Sequence, residues 1–415
     1  MSNSIQIPLD LSDVRVLKAT QMKQGDWLIK VESTLKGTKC HKCGRSIEQF
    51  HGLEKAIRVR HLPIFGKPVW IEFCPKRYRC KYCEGNPTTT QGLKWHDMRS
   101  PNTRAYEEWI LRLLVNSTVA DVSKKVSISE ETVNGIVARW LQVKVDWEEF
   151  EKIEVLGVDE ISLKRGHRDF VVLVSTRSKS NGFKLLAVLP DRKKETVANF
   201  LASIPLRLRK TIQRVCSDMY EGFVNAAQEE LPEAKIVIDR FHIAQLYRKC
   251  ADTVRKRELK RLKKELCESE YKQIKGAMWP FRKSSKTINN DEQQLLKRLF
   301  AYAPKLEQAY QFCEELTQIF DKNYTKTGAK CAIRAWCKRV CNSSLDEFDS
   351  FLKTVNTWLD KITNYFLERL NSGFVEGFNN RAKVLKRRCY GIFDVRHIFQ
   401  RLTLDINGYE QYALS

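Results

Sequence analysis

The chain lacks any long apolar run. Its densest apolar stretches, such as Phe170 to Val174, fall far short of the roughly 18 residues that a membrane-spanning helix needs, and the mean hydropathy of -0.44 agrees. Met1 to Asp10 also lacks the apolar segment of a secretory signal, being short, polar and ended by an acid. The expectation is a cytoplasmic protein with no membrane association. Acid is scarce as well: 50 Asp+Glu face 73 Lys+Arg, which leaves +23 on 415 residues. So large a surplus argues against an indifferent soluble enzyme and for a polyanionic partner, with nucleic acid the commonest because neutralised phosphates release counterions. What is present is ordinary for a folded protein, with 42% hydrophobic and 30% charged residues, and the length suggests two to four domains. Thirteen cysteines in a long chain without an export signal indicate reduced thiols and metal ligation rather than a disulfide scaffold.

Four of those cysteines are paired in sequence. Cys40-His41-Lys42-Cys43 and Cys80-Lys81-Tyr82-Cys83 are two CxxC knuckles. Each sets two thiolates on one side of a tight turn, and together they complete a tetrahedral, structural Zn(II) site. His41, His51, His61 and Cys74 lie near enough to substitute, although ordinary surface or core roles suit them better. Lys39, Lys42, Arg45, Arg77, Arg79 and Lys81 surround the knuckles, so this module should lie near phosphate.

Ser100-Pro101 opens a helical pattern through Trp109, Ile110, Leu113 and Leu114. Val119 to Val126, a turn at Ser127 to Ser129, and Glu130 to Leu141 follow, with Ser129 as a plausible N-cap. Val133, Ile136, Val137 and Trp140 share one face of the last segment. This is the layout of a helix-turn-helix, and beside a zinc module in a basic chain it points to DNA.

From residue 151 the period changes to strands. Strands are expected at Ile153 to Asp159, Arg168 to Ser175 and Gly182 to Leu189, then a helix at Lys194 to Ser203. A strand from Ile212 ends at Ser217 before Asp218, a helix runs from Glu221 to Glu230, and a strand from Lys235 to Ile238 ends before Asp239. Acids at strand ends sit at the rim of an open sheet, where ligands bind. This order resembles the RNase H-like fold of polynucleotidyl transferases, which implies a third acid on a later helix. Glu376 meets that need: on a helix it shares a face with Asn380, Lys383 and Arg387, while Phe374, Phe378, Ala382 and Leu385 form another. Between the second and third acids, residues from about 241 to 365 read as a helical insertion. Arg240 to Lys286 holds fifteen Lys/Arg against five Asp/Glu, and Arg255, Lys256, Arg257 and Lys260 are candidates for phosphate contact. Trp279 either stacks on a DNA base or packs in the core, the latter favoured by its neighbours Pro280 and Phe281. Cys331, Cys337 and Cys341 read as small apolar core residues.

The succession of CxxC pair, helix-turn-helix, Gly157-Val158-Asp159-Glu160, Ser217-Asp218-Met219-Tyr220, Val237-Ile238-Asp239-Arg240-Phe241-His242 and Val375-Glu376-Gly377-Phe378-Asn379-Asn380 resembles bacterial insertion-sequence transposases of the DDE type, of the ISL-three group. The resemblance runs from about Cys40 to the last helix. Asn371-Ser372-Gly373 and Cys389-Tyr390-Gly391 depart slightly from the elements expected there. The resemblance implies that Asp159, Asp218 and Glu376 are the catalytic acids. Asp239 and His242 match a D-x-x-H motif, with Asp239 either supporting the acids or simply capping the next helix, and His242 either joining them or only packed.

The expected architecture is multidomain α+β: a zinc-binding domain (1–98), a helix-turn-helix (99–147), an RNase H-like core in two parts (148–240 and 366–415) and a helical insertion (241–365). Three crowded carboxylates repel one another, and two Mg(II) or Mn(II) ions would relieve that while serving an in-line displacement at phosphorus. The expected activity is cleavage at an element end followed by joining of the freed 3'-hydroxyl to target DNA. Expected partners are duplex DNA, as terminal inverted repeats and target, and further copies of the chain in a homodimer or higher oligomer on DNA, in a bacterial, nucleoid-associated setting. Lys383 and Arg387 would meet phosphate beside the third acid. Two other readings remain: a DNA-binding regulator with an inactive catalytic domain, against which the three acids argue, and a structure-specific nuclease without strand transfer.

Overall fold

The computed structural model describes residues 8–412 except 10, 165–167, 179–181, 368, 370–372, 390 and 393. Asn371, Ser372 and Tyr390, named above, therefore lie outside the described residues. The chain forms two units, one of residues 1–142 with 403–415 and one of 143–402.

The first unit begins with β-structure. A four-stranded sheet runs in the order Val14–Gln21, Trp27–Ser33, Lys67–Phe73, Ile57–Ile64. Its buried face carries Ile29, Val31, Val59, Val69, Ile71 and Phe73, closed by Leu93 and Trp95, and the alternation along Lys67–Phe73 is what a half-buried strand requires. Two smaller sheets, Thr38–Lys39 with Ser46–Ile47 and Gln49–Leu53 with Lys76–Arg79 and Thr88–Thr90, present the two CxxC turns.

Three helices follow at Arg104–Leu114, Val119–Val126 and Glu130–Trp140. Each is opened by a hydroxyl that accepts a backbone N–H: Thr103 from Tyr106, Thr118 from Asp121 and, as the sequence suggests, Ser129 from Thr132. The turn between the second and third is made by Ser127 in the left-handed region, φ 53°. Ile110, Leu111, Leu114, Val122, Val133, Ile136 and Val137 form a shared core with Leu404 and Tyr412. Beneath it Glu107 is fully buried yet satisfied, accepting from Arg139, from Trp140 Nε1 at 2.6 Å, from Ser100 Oγ at 2.5 Å and from Asn102 Nδ2 at 3.1 Å. Burial opposes its ionisation, but these donors together hold its pKa below the usual carboxylate value.

The second unit is built on a five-stranded sheet ordered Gly182–Leu189, Arg168–Ser178, Val155–Lys164, Arg214–Ser217, Lys235–Ile238. The first three strands are antiparallel and the last two pairings parallel. This is the RNase H-like order. Val158, Val172, Val174, Val215 and Ile236 enter the core with Val197 and Leu201 of the Lys194–Ser203 helix and Phe223 and Val224 of the Glu221–Glu230 helix.

After the last strand the described chain is helical up to Leu367. Arg240–Glu265 is the long first helix, and Pro304–Asp321, Lys326–Cys341 and Asp349–Thr363 bury Leu316, Trp336 and Phe351 with it in the same continuous core. Two expectations fail here. Trp279 is 64% exposed on the short helix Met278–Arg282, while Pro280 and Phe281 are buried; one helical turn cannot bury adjacent residues on opposite sides. Cys331 and Cys341 are exposed, because Ala329, Ile333, Trp336 and Val340 occupy the buried stripe of their helix, whereas Cys337, half-buried, packs against the core as expected.

The Gly373–Arg388 helix buries Val375, Phe378, Asn379, Ala382 and Leu385 and leaves Lys383 and Arg387 exposed. The expected place of the Phe374 side chain lies outside the described residues. Among the described residues, no helix is long and apolar enough to cross a membrane.

Candidate active site and metal centres

Register explains how three acids meet. Val158 pairs with Ser217 in parallel, and Ser217 pairs with Ile238. The next residue on each strand is an aspartate, so Asp159, Asp218 and Asp239 stand at the same level of three adjacent strands, which are spaced about 4.8 Å apart. A small cleft there is lined by Asp159, Asp218, Asp239, His242, Ser217 and Val375, among others.

Asp159 is almost fully buried. Its Oδ1 accepts from its neighbour's backbone, Glu160 N, at 2.8 Å. Its Oδ2 accepts from Asn379 Nδ2 at 2.5 Å and lies 3.6 Å from His242 Nε2. Burial and the adjacent Asp159 charge push the Asp218 carboxyl up to about 6. Burial works against a charged His242, yet the Asp159 carboxylate 3.6 Å away, joined by Asp239 and Asp218, raises its pKa. Asp239 Oδ1 accepts from Phe241 N at 2.8 Å, so it caps the Arg240–Glu265 helix and lines the cleft at once.

Glu376 stands on the Gly373–Arg388 helix, half-buried, one turn before Asn379. It is its neighbour Val375, and not Glu376, that lines the cleft. Among the described residues, the one group of three or more His, Cys, Asp or Glu whose ligand atoms all lie within 4.8 Å of one another is the four cysteines. The three acids are thus brought to one region without closing into one ligand set. The donor chemistry nevertheless fits a hard divalent cation: buried carboxylate oxygens on adjacent strands, one of them held protonated to an unusual pH by burial and its neighbour's charge, favour added positive charge.

Asn379 is the residue that motif reading missed. Its signal was a polar side chain on the buried stripe of an amphipathic helix, at the spacing of Val375, Phe378 and Ala382. Its Oδ1 and Ser217 Oγ are buried without a hydrogen-bond partner among the described residues.

The zinc residues converge fully. Cys40 Sγ and Cys83 Sγ are 3.9 Å apart and Cys43 Sγ and Cys80 Sγ 3.8 Å, close to the roughly 3.8 Å edge of a tetrahedron with 2.3 Å Zn–S bonds. The backbone N–H of Cys43, helped by that of Lys42, draws the Cys40 thiol down to about 6. The Cys83 thiol is pushed up to about 12, first by Cys43 and then by burial. Four sulfurs this close cannot all ionise without a cation between them, and the set fits structural zinc. His41 Nδ1 instead meets Thr89 Oγ1 and His61 Nδ1 meets Thr103 Oγ1, each at 2.9 Å, so neither joins the cysteines.

Of the cations singled out in the insertion, Arg255 is buried and ion-paired with Asp252 at 2.8 Å. It is withdrawn from the phosphate-facing set, since its charge is spent inside the fold. Arg257 is held by Glu347 at 2.6 Å. Lys256, 3.3 Å from Asp252, and Lys260 are exposed, and on the same face lie exposed Lys263 and Lys264.

A zinc ribbon, a helix-turn-helix and an RNase H-like sheet with aligned acids define a DNA-acting enzyme of the DDE class. Comparison with known families agrees on each part. A transposase family model, DDE_Tnp_ISL3, matches residues 156–402; the helix-turn-helix domain of transposase family ISL3 matches 93–141; and the zinc-finger of transposase IS204/IS1001/IS1096/IS1165 matches 36–83. The chain belongs to the ISL3 family of DDE transposases. It is 28% identical over 383 residues to the transposase for insertion sequence element IS1001 of Bordetella parapertussis, covering 92% of this chain and 91% of that one. It is 22% identical over 397 residues to the transposase for IS1557 of Mycobacterium tuberculosis strain H37Rv, covering 89% and 86%. A Drosophila P element transposase strand transfer complex aligns with TM-score 0.40 and 12% identity over 73% of this chain and 91% of that chain.

Proposed function

We propose that this transposase binds the terminal inverted repeats of its own insertion sequence, cleaves a strand at the element end and joins the freed 3'-hydroxyl to target DNA. Asp159, Asp218 and Glu376 are the catalytic acids of this proposal. The observation that carries it is the alignment of Asp159 and Asp218 on adjacent strands in a buried cleft, with the Asp218 carboxyl raised to about 6. Mg(II) or Mn(II) ions held by these carboxylates, two in number, would supply Lewis-acid polarisation of the phosphoryl oxygens and of the attacking and leaving oxygens.

The chain's own residues do the rest. Asn379 fixes the Asp159 carboxylate and ties it to the helix that carries Glu376. His242, raised in pKa beside Asp159, can hold a proton at Nε2 next to the acids. Asp239 sets the start of the long helix and adds negative charge to the cleft. Lys383 and Arg387 neutralise phosphates along the catalytic helix. The N-terminal modules, residues 1–98 and 99–147, recognise the element end, and the insertion, 241–365, contacts phosphate through Lys256, Lys260 and their neighbours, with exposed Trp279 available to stack on a base. The catalytic core is drawn from 148–240 and 366–402; residues 403–415, expected to belong to it, lie in the first unit instead. The working form is a homodimer or higher oligomer on duplex DNA, in the bacterial cytoplasm at the nucleoid.

The deciding experiment uses full-length protein, a labelled duplex ending in the terminal repeat read from the DNA flanking the gene, and Mg(II) or Mn(II). Asp159→Asn, Asp218→Asn and Glu376→Gln should each abolish cleavage and keep DNA binding. A variant with full cleavage removes that residue from the catalytic set. Binding with no cleavage by wild type would favour a regulator, and cleavage with no joining to a second duplex would favour a nuclease.

A further inference from the structure

Glycine inside a helix destabilises it relative to alanine, because its backbone loses more freedom on folding. Each such glycine therefore calls for a local reason. At Gly408, in the Val395–Gln411 helix, the reason is steric: a Cβ would come within 2.6 Å of Val115 Cγ2 and 2.9 Å of Leu404 Cδ1. Gly222 and Gly328 lie in first turns, where a Cβ would meet Tyr220 at 2.6 Å and Thr325 at 3.3 Å.

Gly377 has no such reason. It sits within the Gly373–Arg388 helix, exposed and next to Glu376, and apart from its chain neighbours and its own helix's backbone no atom of the described residues lies within 4 Å of where its Cβ would stand. At 100° per residue Gly377, Asn380, Arg381 and Val384 form one exposed stripe, with Lys383 and Arg387 along its edge. Val384 is 47% exposed. Arg381, Lys383 and Arg387 make no ion pair with another described residue, and Glu376 is the helix's one acid.

We propose that the sugar–phosphate backbone of the DNA strand being processed lies on this stripe, with Gly377 as the point of closest approach. The proposal rests on the reading of the chain as a DNA-cleaving transposase with Glu376 among its acids. A missing Cβ lets a sugar or phosphate approach the helix backbone more closely, the three cations offer charge to successive phosphates, and Val384 offers an apolar contact to deoxyribose carbons. The recognition helix Glu130–Trp140 carries the same signature. A Cβ on its mid-helix Gly135 would meet only the tip of Arg139, at 3.4 Å. Among the described residues, the two mid-helix glycines without a steric reason thus lie on the two helices expected to face DNA.

The test uses zinc-loaded full-length protein and a duplex ending in the terminal repeat. Gly377→Ala should raise the Tm by about 2 °C, since the fold has room for the methyl, and should slow single-turnover cleavage roughly tenfold or more. p-Benzoylphenylalanine placed at Val384 should photo-cross-link to the same duplex. A lowered Tm overturns the steric premise, wild-type cleavage by Gly377→Ala overturns the close approach, and absence of the cross-link overturns the contact. Wild-type protein that cleaves no duplex fails differently: it overturns the functional reading on which the proposal rests.

Discussion

Asn379 donates its side-chain N–H to Asp159 Oδ2 at 2.5 Å, across 220 residues of sequence. One buried hydrogen bond thereby joins the first strand of the catalytic sheet to the helix that carries Glu376. A hydrogen bond to a charged acceptor contributes about 1.5–3 kcal/mol, and its larger effect here is geometric, because it fixes where one acid stands relative to the helix bearing another. Asn379→Ala should lower stability by an amount in that range and slow cleavage about a hundredfold. Asn379→Asp should be worse, since it sets a second carboxylate against Asp159. Denaturant unfolding and single-turnover cleavage read the two effects separately, and wild-type cleavage by Asn379→Ala would remove it from the positioning role.

The zinc ribbon should depend on its metal. Freshly purified protein should contain about one Zn(II) per chain, and Cys40→Ser or Cys83→Ser should lose it together with the structure of the small sheets around it. Elemental analysis and amide exchange over residues 38–90 check this. Zinc retained at full occupancy in Cys40→Ser would contradict the four-sulfur site.

Glu107 gives a pH prediction. Its folded pKa is lowered: burial resists ionisation, and the bonds from Arg139, Ser100, Trp140 and Asn102 overcome it. A lowered folded pKa contributes stability that is full above the unfolded value of about 4.3 and is lost as pH falls through the folded value. Amide exchange in the three-helix region should therefore accelerate with acidification below about pH 4, and Glu107→Gln should flatten that dependence. Because the change takes the charge away from the buried donors Ser100, Asn102 and Trp140, it should also cost about 1.5–3 kcal/mol at neutral pH.

In the insertion, the ion pairs redirect the choice of residues. Neutralising Lys256, Lys260, Lys263 and Lys264, which share one exposed face, should weaken binding to every duplex sequence and reduce the salt slope by about 0.9 for each phosphate that is no longer neutralised. Arg255→Gln should instead destabilise the protein, since Asp252 would lose a buried partner. An unchanged salt slope in the quadruple variant would take this face away from DNA.

Much of this protein was determined by sequence alone. The CxxC turns, the three capped helices, the strands ending just before Asp218 and Asp239 and the buried stripe of the catalytic helix are local in origin: ligand spacing, capping hydroxyls and the periods of helix and strand fix them within a few residues. Tertiary structure decided what local patterns cannot encode. The level of Asp159 against Asp218 and Asp239 comes from strand register. The partners of Arg255 and Arg257 come from neighbouring acids that a charge count treats as anonymous, and Trp279 is exposed because a short helix turns its neighbours inward instead. The bond from Asn379 to Asp159 exists only because a helix 220 residues downstream packs on the first strand. Its specificity lies in a distance in space, and no spacing in the sequence carries that distance.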